Sequence, residues 1–252
     1  MELDSQWLIV FLALFIRVSA MFLAAPLTAT AVPVNIRVLI SAALAFALAP
    51  TVQPMFGSPP ESVIELILLG MREALTGLLI GFCLKLAASA AEMAGGIADL
   101  QIGLMSAQIM SPVLGSAATP TSRLKMMLGL ALLFASDAHH LMIQALVRSY
   151  NIGGLTLQGL EPAHTGLLSI FSQVMLLSLQ IAAPVAAVGI VVDMAAGFVN
   201  KAVPQTQPFL LALPAKLALG LVALSLGLPA LAAGMRHATD ASFQALSQML
   251  GG

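Results

Sequence analysis

Long apolar stretches, separated by proline, glycine and charged residues, dominate the pattern along the chain. Leucine and alanine prevail in them, and no ten-residue alternation of apolar and polar positions of the outer-membrane barrel type recurs. Such stretches predict helices, and the prolines that follow residue 49 and lie between residues 204 and 214 predict breaks. The apolar stretches cover residues 7–32, 38–49, 63–100, 126–147, 166–200 and 215–234. We therefore predict an all-α chain.

The composition indicates that a membrane surrounds much of this chain. It has 252 residues, of which 60% are hydrophobic and 8% are charged. Soluble domains carry about 25% charged residues, so a soluble globular enzyme is excluded, and so is a disordered chain. The formal net charge of −1 leaves no basic excess for nucleic-acid binding. The single cysteine, Cys83, cannot form an intrachain disulfide and lies among apolar residues.

Two features argue against a simple bundle of six membrane spans. Residues 166–200 would form a helix about 50 Å long, whereas the hydrocarbon core of a bilayer is about 30 Å thick. This helix must kink at Pro184, tilt, or leave the hydrocarbon. Ionisable residues also lie inside most apolar stretches, where each costs about 2.5–3.5 kcal/mol at a helix centre unless it faces protein or water. We expect these charges to face neighbouring helices or a water-filled passage.

The run Asp137-Ala138-His139-His140 suggests metal or proton chemistry at first sight. Neighbouring residues on a helix point about 100° apart, so His139 and His140 are poorly placed to bind one ion. A helix start capped by Ser136 or Asp137 explains the run more simply. We therefore predict no metal site and no cofactor. The sequence also contains no nucleophile or phosphate-binding motif that would indicate catalysis.

Small and polar residues recur every three or four positions near the end of the third apolar stretch. On a helix they form one stripe, which consists of Ser89, Glu92, Gly95, Gly96, Asp99 and Gly103. The stripe is typical of close helix packing or of a contact with another subunit. The carboxylates of Glu92 and Asp99 lie two turns apart, about 10 Å, which is wide for a shared proton. Packing or subunit contact is therefore favoured over a proton relay.

Residues 103–122 differ from the rest of the chain because they are rich in glycine, serine, proline and threonine. Irregular backbone in an apolar protein must be buried in protein or line a cavity, since lipid cannot satisfy its amides. Met105 and Met110 offer flexible side chains that adapt to a changing surface. Both an ordinary extramembrane loop and a conformable plug in a passage fit this segment.

Taken in order, several segments resemble the FliR family of flagellar export-gate proteins and its injectisome relatives. They are Arg17 with Pro26 and Pro33, and residues 91–103, 133–140, 146–150, 193–197, 203–209 and 213–216. The resemblance covers most of the chain, and the ordered set is more specific than any single segment. One departure is Ser136-Asp137, where the family more often has Asn-Gly before the histidine.

The resemblance implies a non-enzymatic subunit of a type III protein-export apparatus in the bacterial inner membrane, at the flagellar basal body. In that family the chain assembles with FliP and FliQ, is contacted by FlhB and lies near FlhA, and unfolded flagellar proteins cross the resulting helical gate. It implies membrane-associated helical hairpins, with a FliP-like part over residues 1–175 and a FliQ-like hairpin over residues 176–252. The tip of that hairpin would lie at residues 204–216, and a plug-like loop would fall on about residues 104–122.

Two sets of candidate residues follow. The resemblance assigns the channel plug to Met105, Gln108, Ile109, Met110, Pro112, Val113 and Leu114. The candidates for buried polar contacts or contacts with other subunits are Arg17, Glu92, Asp99, Asp137, His139, Asp193, Lys201, Gln205 and Lys216.

Two other functions stay open at this point. The homologous subunit of a virulence injectisome has the same sequence pattern, and the wording of the motifs favours the flagellar system. A six-span transporter for a small solute would need broken helices paired between two halves of the chain, and no convincing repeat of that kind is present.

Overall fold

The computed structural model describes residues 5–25, 32–57, 60–105, 120–135, 137–151, 160–203, 205 and 208–249. Every regular element in these ranges is helical, which confirms the prediction of an all-α chain. A 3₁₀ turn, Gln53–Met55, follows the second helix. The α-helices are α1 (Ser5–Ala24), α2 (Val34–Val52), α3 (Val63–Ile102), α4 (Pro120–Ala135), α5 (Ala138–Asn151), α6 (Leu160–Ala202), α7 (Pro208–Leu226) and α8 (Leu228–Met249).

Several helices are long and apolar enough to cross a membrane. Among the described residues four qualify alone, and the number rises to six if each of two bent helix pairs counts as one span. The bent pairs are α4 with α5 and α7 with α8, and the second pair is bent by 52°. The chain is a membrane protein by these criteria of length and composition.

Two helices are much longer than a bilayer requires. Helix α3 has 40 residues and α6 has 43, which correspond to about 60 Å and 65 Å. The prediction of an overlong helix around residues 166–200 is therefore confirmed. Pro184 lies inside α6, and the helix continues on both sides of it.

The structure corrects several predicted breaks. Helix α2 continues past Pro50 to Val52, and α7 contains Pro214, so neither proline ends its helix. The single apolar stretches 126–147 and 215–234 are each divided into two helices instead. Asp137 has a positive φ of 57° at the first of these divisions, a conformation that aspartate tolerates better than most residues. At the second, Gly227 precedes Leu228-Pro229, and proline is accepted in the first turn of a helix.

The chain forms two compact units. The first consists of residues 1–87, 137–171 and 239–252. Its core contains Leu14 and Met21 of α1, Ile80 of α3 and Leu146 of α5, all at most 2% exposed. Helix α1 also packs on α2, where the Trp7 and Phe46 rings meet edge to face.

The second unit consists of residues 88–136 and 172–238. In its core the end of α3 packs against α6 and α7 through Ala98, Ile102, Val185, Ala223 and Leu224. Gly220 lies so close to Ile102 that a Cβ at residue 220 would collide with that side chain.

Large apolar side chains are exposed on most helices. On α2, Val34 and Leu39 are 66% and 68% exposed, and on α3 both Val63 and Ile64 exceed 70%. In the second unit Phe198 of α6 and Leu226 of α7 are exposed to a similar degree. Large apolar side chains exposed in such number favour lipid or other protein chains as their surroundings.

Candidate functional site

A buried ion pair in the first unit joins helices that are far apart in sequence. The guanidinium of Arg17 on α1 donates two hydrogen bonds to the carboxylate of Glu73 on α3, from Nε to Oε2 at 2.6 Å and from Nη2 to Oε1 at 2.8 Å. The side chains of Arg17 and Glu73 are 1% and 0% exposed. This two-pronged geometry is the strongest form of an arginine–carboxylate contact.

Helix α5 completes the surroundings of this pair. Arg17 Nη1 donates to Ser149 Oγ at 2.5 Å, and the Ser149 hydroxyl donates in turn to the carbonyl of Leu146. The Tyr150 hydroxyl donates to Glu73 Oε2 at 2.7 Å, and the Arg17 guanidinium carbon lies 3.6 Å from the centre of the Tyr150 ring. We call Arg17, Glu73, Ser149 and Tyr150 the Arg17 network; it satisfies both charges within the protein and fixes α1, α3 and α5 together.

Close backbone contact brings α1 and α3 near enough for this network to form. Gly77 and Gly81 follow Glu73 at intervals of four residues and lie on the same face of α3. A Cβ on Gly77 would collide with the backbone oxygen of Arg17, and one on Gly81 would collide with that of Met21. These glycines therefore allow the small-residue packing that is common between membrane helices.

In the second unit, Asp99 holds the start of α4. Its Oδ2 accepts hydrogen bonds from the backbone N–H groups of Thr121, at 3.1 Å, and Ser122, at 3.0 Å. These groups lie in the first helical turn, where they have no partner within their own helix. A carboxylate there also interacts favourably with the helix dipole. Asp99 is fully buried and also attracts the charge of the buried Lys125.

Asp99 also contacts the chain where α3 ends. Gly103 has a positive φ of 84°, which is typical of the residue after a helix, and the Met105 N–H lies 3.4 Å from the Asp99 carbonyl oxygen. The chain before residue 106 and the chain after residue 119 are thus both bonded to Asp99.

The predicted stripe on α3 is divided between two faces. Gly95 and Asp99 contact α4: a Cβ on Gly95 would collide with the Ser122 backbone, and Ser122 Oγ donates to the Glu92 carbonyl. Farther along, a Cβ on Gly129 would lie 2.8 Å from the Ala91 Cβ. By contrast, a Cβ on Gly96 would meet nothing within 4 Å. The stripe therefore contacts α4 on the side of Gly95 and Asp99 and is open at Gly96, because neighbouring residues on a helix point about 100° apart.

Asp193 and Lys216 form an ion pair between α6 and α7. Lys216 Nζ lies 2.7 Å from the Asp193 carboxylate, with side chains 13% and 46% exposed. The two residues lie at similar distances before and after the connection between their helices. The pair therefore indicates that α6 and α7 run antiparallel as a hairpin.

The Asp137–His140 run forms the start of α5. The Asp137 carbonyl accepts hydrogen bonds from the N–H groups of His140 and Leu141, and its carboxylate lies 3.3 Å from His140 Nδ1. One ligand atom each from Asp137, His139 and His140 lies within 4.8 Å of the others. The Asp137 backbone carbonyl thus begins the helix, and its carboxylate pairs with the His140 side chain. The predicted cap by Ser136 lies outside the described residues, and we assign no metal to the run.

The remaining candidates fall into three groups. Glu92 and Met105 are half-buried, and Lys201 and Gln205 are exposed. The other plug candidates, Gln108, Ile109, Met110, Pro112, Val113 and Leu114, lie outside the described residues. Sequence reasoning identified Arg17 but missed Glu73, Ser149 and Tyr150. The available signals were that a mid-helix arginine requires a carboxylate and that residues 146–150 form one of the family-like segments.

Comparison with known proteins gives these contacts a family context. The family model for bacterial export proteins, family 1, matches residues 8–242. Flagellar biosynthetic protein FliR of Caulobacter vibrioides is 35% identical over 86% of this chain and 88% of its own length, and that of Bacillus subtilis is 26% identical over 95% and 94%. Yop proteins translocation protein T of Yersinia pestis is 28% identical over 72% of each chain. The chain therefore belongs to the FliR family of bacterial export proteins.

Proposed function

We propose that this protein is a structural, non-enzymatic subunit of the flagellar type III export apparatus in the bacterial inner membrane, at the basal body. The likeness to FliR over almost the whole chain is the observation that carries this proposal. In this role it assembles with FliP and FliQ, contacts FlhB and lies near FlhA. It forms part of the wall of a channel for unfolded flagellar proteins.

The helices suit an assembled subunit better than an isolated one. Helices of about 60–65 Å exceed a bilayer core of about 30 Å, so parts of α3 and α6 must leave the hydrocarbon or tilt steeply. Their exposed apolar side chains then need protein surroundings outside the lipid. A gate in which sister chains surround these helices supplies them.

Within this subunit we propose a FliP-like part over residues 1–175 and a FliQ-like hairpin over residues 176–252. The Asp193–Lys216 ion pair supports the hairpin, since it joins α6 to α7 on both sides of the connection between the two helices. Because α7 begins at Pro208, this connection is shorter than the expected tip at residues 204–216. The 52° bend after α7 marks the end of the second arm.

We also propose that residues 104–122 seal the channel until a substrate arrives. The support is the flexible, apolar character of their methionine and leucine side chains and the attachment of both flanks to Asp99. Deletion of residues 106–118 is expected to raise ion conductance across vesicles that contain the assembly. Unchanged conductance with the assembly intact would contradict the role as a seal.

The assembly itself is tested by expressing the tagged chain with FliP and FliQ, solubilising the membranes and weighing the complex by native mass spectrometry. A large asymmetric complex that contains all three chains is expected. A functional monomer would instead support a six-span transporter, for which the upper count of six spans is the only support.

An injectisome subunit is the second candidate, since Yop proteins translocation protein T shares 28% identity over 72% of the chain. Deletion of the gene separates the two systems. Loss of swimming with secretion of virulence proteins retained supports the flagellar role, and the reverse supports the injectisome.

A further inference from the structure

Helix α3 carries a second face that the described part of the chain leaves open. Phe82 and Leu100 on this face are 43% and 58% exposed, Lys85 is exposed and Glu92 is half-buried. A Cβ on Gly96 would meet nothing within 4 Å. With Ser89, these residues recur at intervals of three or four and so share one side of the helix. We call this set, Phe82, Lys85, Ser89, Glu92, Gly96 and Leu100, the Lys85 face.

The other side of the same helix segment is buried. Cys83, Leu84, Ala87, Ala91 and Ala98 are at most 3% exposed. The Lys85 face is therefore open although the helix that carries it is held firmly on its opposite side.

Lipid is a poor environment for this face. Lys85 and Glu92 carry opposite charges but are separated by about 10 Å along the axis, beyond the three- or four-residue spacing at which side chains on a helix pair. Lys85 is about 33 Å from the start of α3 and about 25 Å from its end, so its side chain cannot reach either end of the helix. Charges in such positions pair with other protein groups or face water.

Water alone is also a poor environment, because the face begins and ends with large apolar side chains. If the face were surrounded by water, Phe82 and Leu100 would stay exposed, and no helix would pack against the open surface at Gly96. Apolar groups at both ends, charges of both signs between them and a glycine that permits close approach together match a surface that binds another helix.

We propose that the Lys85 face binds an apolar helix of another subunit that carries an acidic residue opposite Lys85 and a basic residue opposite Glu92, two helical turns apart. This inference rests on the proposed function, since it requires an assembly, and it names the side of this chain that a partner helix contacts. Charge complementarity selects the partner. A helix with an acid opposite Lys85 and a base opposite Glu92 pairs with both groups, whereas a helix with a base opposite Lys85 and an acid opposite Glu92 is repelled by both.

The test uses the full chain expressed with its candidate partners, and the readout is the amount of partner that co-purifies per tagged chain. Lys85→Glu and Glu92→Lys are each expected to reduce the co-purified partner about tenfold or more, because a buried like-charge contact replaces an attractive one. Lys85→Arg, which keeps the charge, is expected to retain it. The double exchange Lys85→Glu/Glu92→Lys is expected to stay defective, since the partner's charges are unchanged.

Second-site suppressors of Lys85→Glu provide the decisive measurement. Suppressors that restore export should change an acidic residue of a partner chain to a neutral or basic one. Recovery in the double exchange would show that Lys85 and Glu92 interact within this chain and would overturn the proposal.

The Lys85→Met variant shows whether the side chain at residue 85 faces lipid or another protein chain. If Lys85 faces lipid, this variant should accumulate in the membrane at least as well as the original chain and retain its partners. That result would overturn the inference. Reduced co-purification with normal membrane levels supports it. If the unaltered chain purifies without partners, the proposed function is wrong. If the unaltered chain purifies with its partners and the Lys85→Glu variant does so equally well, only this inference is wrong.

Discussion

Replacement of Glu73 tests whether the Arg17 network stabilises the first unit. In Glu73→Leu the guanidinium of Arg17 keeps Ser149 and the Tyr150 ring but loses both hydrogen bonds to the carboxylate. An arginine that is 1% exposed is then left without a counter-charge. Removal of one partner of a buried ion pair typically costs about 3–5 kcal/mol.

We expect the lower part of that range, about 3 kcal/mol, because two favourable contacts of the guanidinium persist. This loss reduces the ratio of folded to unfolded protein by a factor of about 150. It is a large share of the 5–15 kcal/mol that stabilises a typical native protein. The Arg17→Met variant leaves the Glu73 carboxylate buried with the Tyr150 hydroxyl as a donor and the half-exposed Arg72 at 3.8 Å, so a comparable loss is expected.

The double variant Arg17→Met/Glu73→Leu distinguishes pairing from simple loss of packing. Because no buried charge remains, it is expected to be more stable than either single variant, with a coupling energy of about 2 kcal/mol or more. Reversible unfolding of the purified chain in mixed detergent micelles measures these values. Arg72→Met is the control: Arg72 is 42% exposed and 3.8 Å from Glu73, so a change below about 1 kcal/mol is expected. Additive effects of the two buried substitutions would refute the reasoning.

Three further predictions concern packing and polar contacts. Asp99→Ala should destabilise the chain by about 2 kcal/mol or more in the same unfolding assay, since two N–H groups at the start of α4 lose their acceptor and the buried Lys125 loses a nearby negative charge; an effect no larger than that of an exposed alanine substitution would contradict this. Gly77→Ala should destabilise it because the new Cβ meets the Arg17 backbone, whereas Gly197→Ala, with nothing within 4 Å, should be neutral or stabilising by up to about 1 kcal/mol; equal effects would show that the α1–α3 contact is not tight. Lys216→Ala should cost less than about 1 kcal/mol because Asp193 is half-exposed, and a larger loss would indicate a buried hairpin contact.

The helical class and the long helices were predictable because lipid-compatible apolar runs leave the backbone no alternative to helical hydrogen bonding. The positions at which the helices end were harder to predict from the sequence. Pro50 and Pro214 are accommodated inside helices, whereas breaks occur at Asp137 and Gly227. A proline inside a helix removes one hydrogen bond, a loss that packing can offset, and the position of a bend depends on which neighbours the two segments pack against.

The polar contacts show the same limit. The sequence marks Arg17 as needing a partner, but Glu73, Ser149 and Tyr150 are brought to it by packing between helices distant in sequence. Likewise, Glu92 and Asp99 belong to one predicted stripe, and only the position of α4 separates the inner contact of Asp99 from the open surface near Gly96.

The order in which the Arg17 network is synthesised constrains how the protein is made. Ser149 follows Arg17 by 132 residues, and Glu73 follows it by 56. At about 5–20 residues per second, the ribosome delivers Glu73 about 3–11 s after Arg17, and Ser149 about 7–26 s after it. During that interval the charge of Arg17 on the first helix has no partner within the chain, and the insertion machinery or the lipid headgroups must compensate it. Biogenesis of the N-terminal helix is thus completed only when the middle of the chain has emerged.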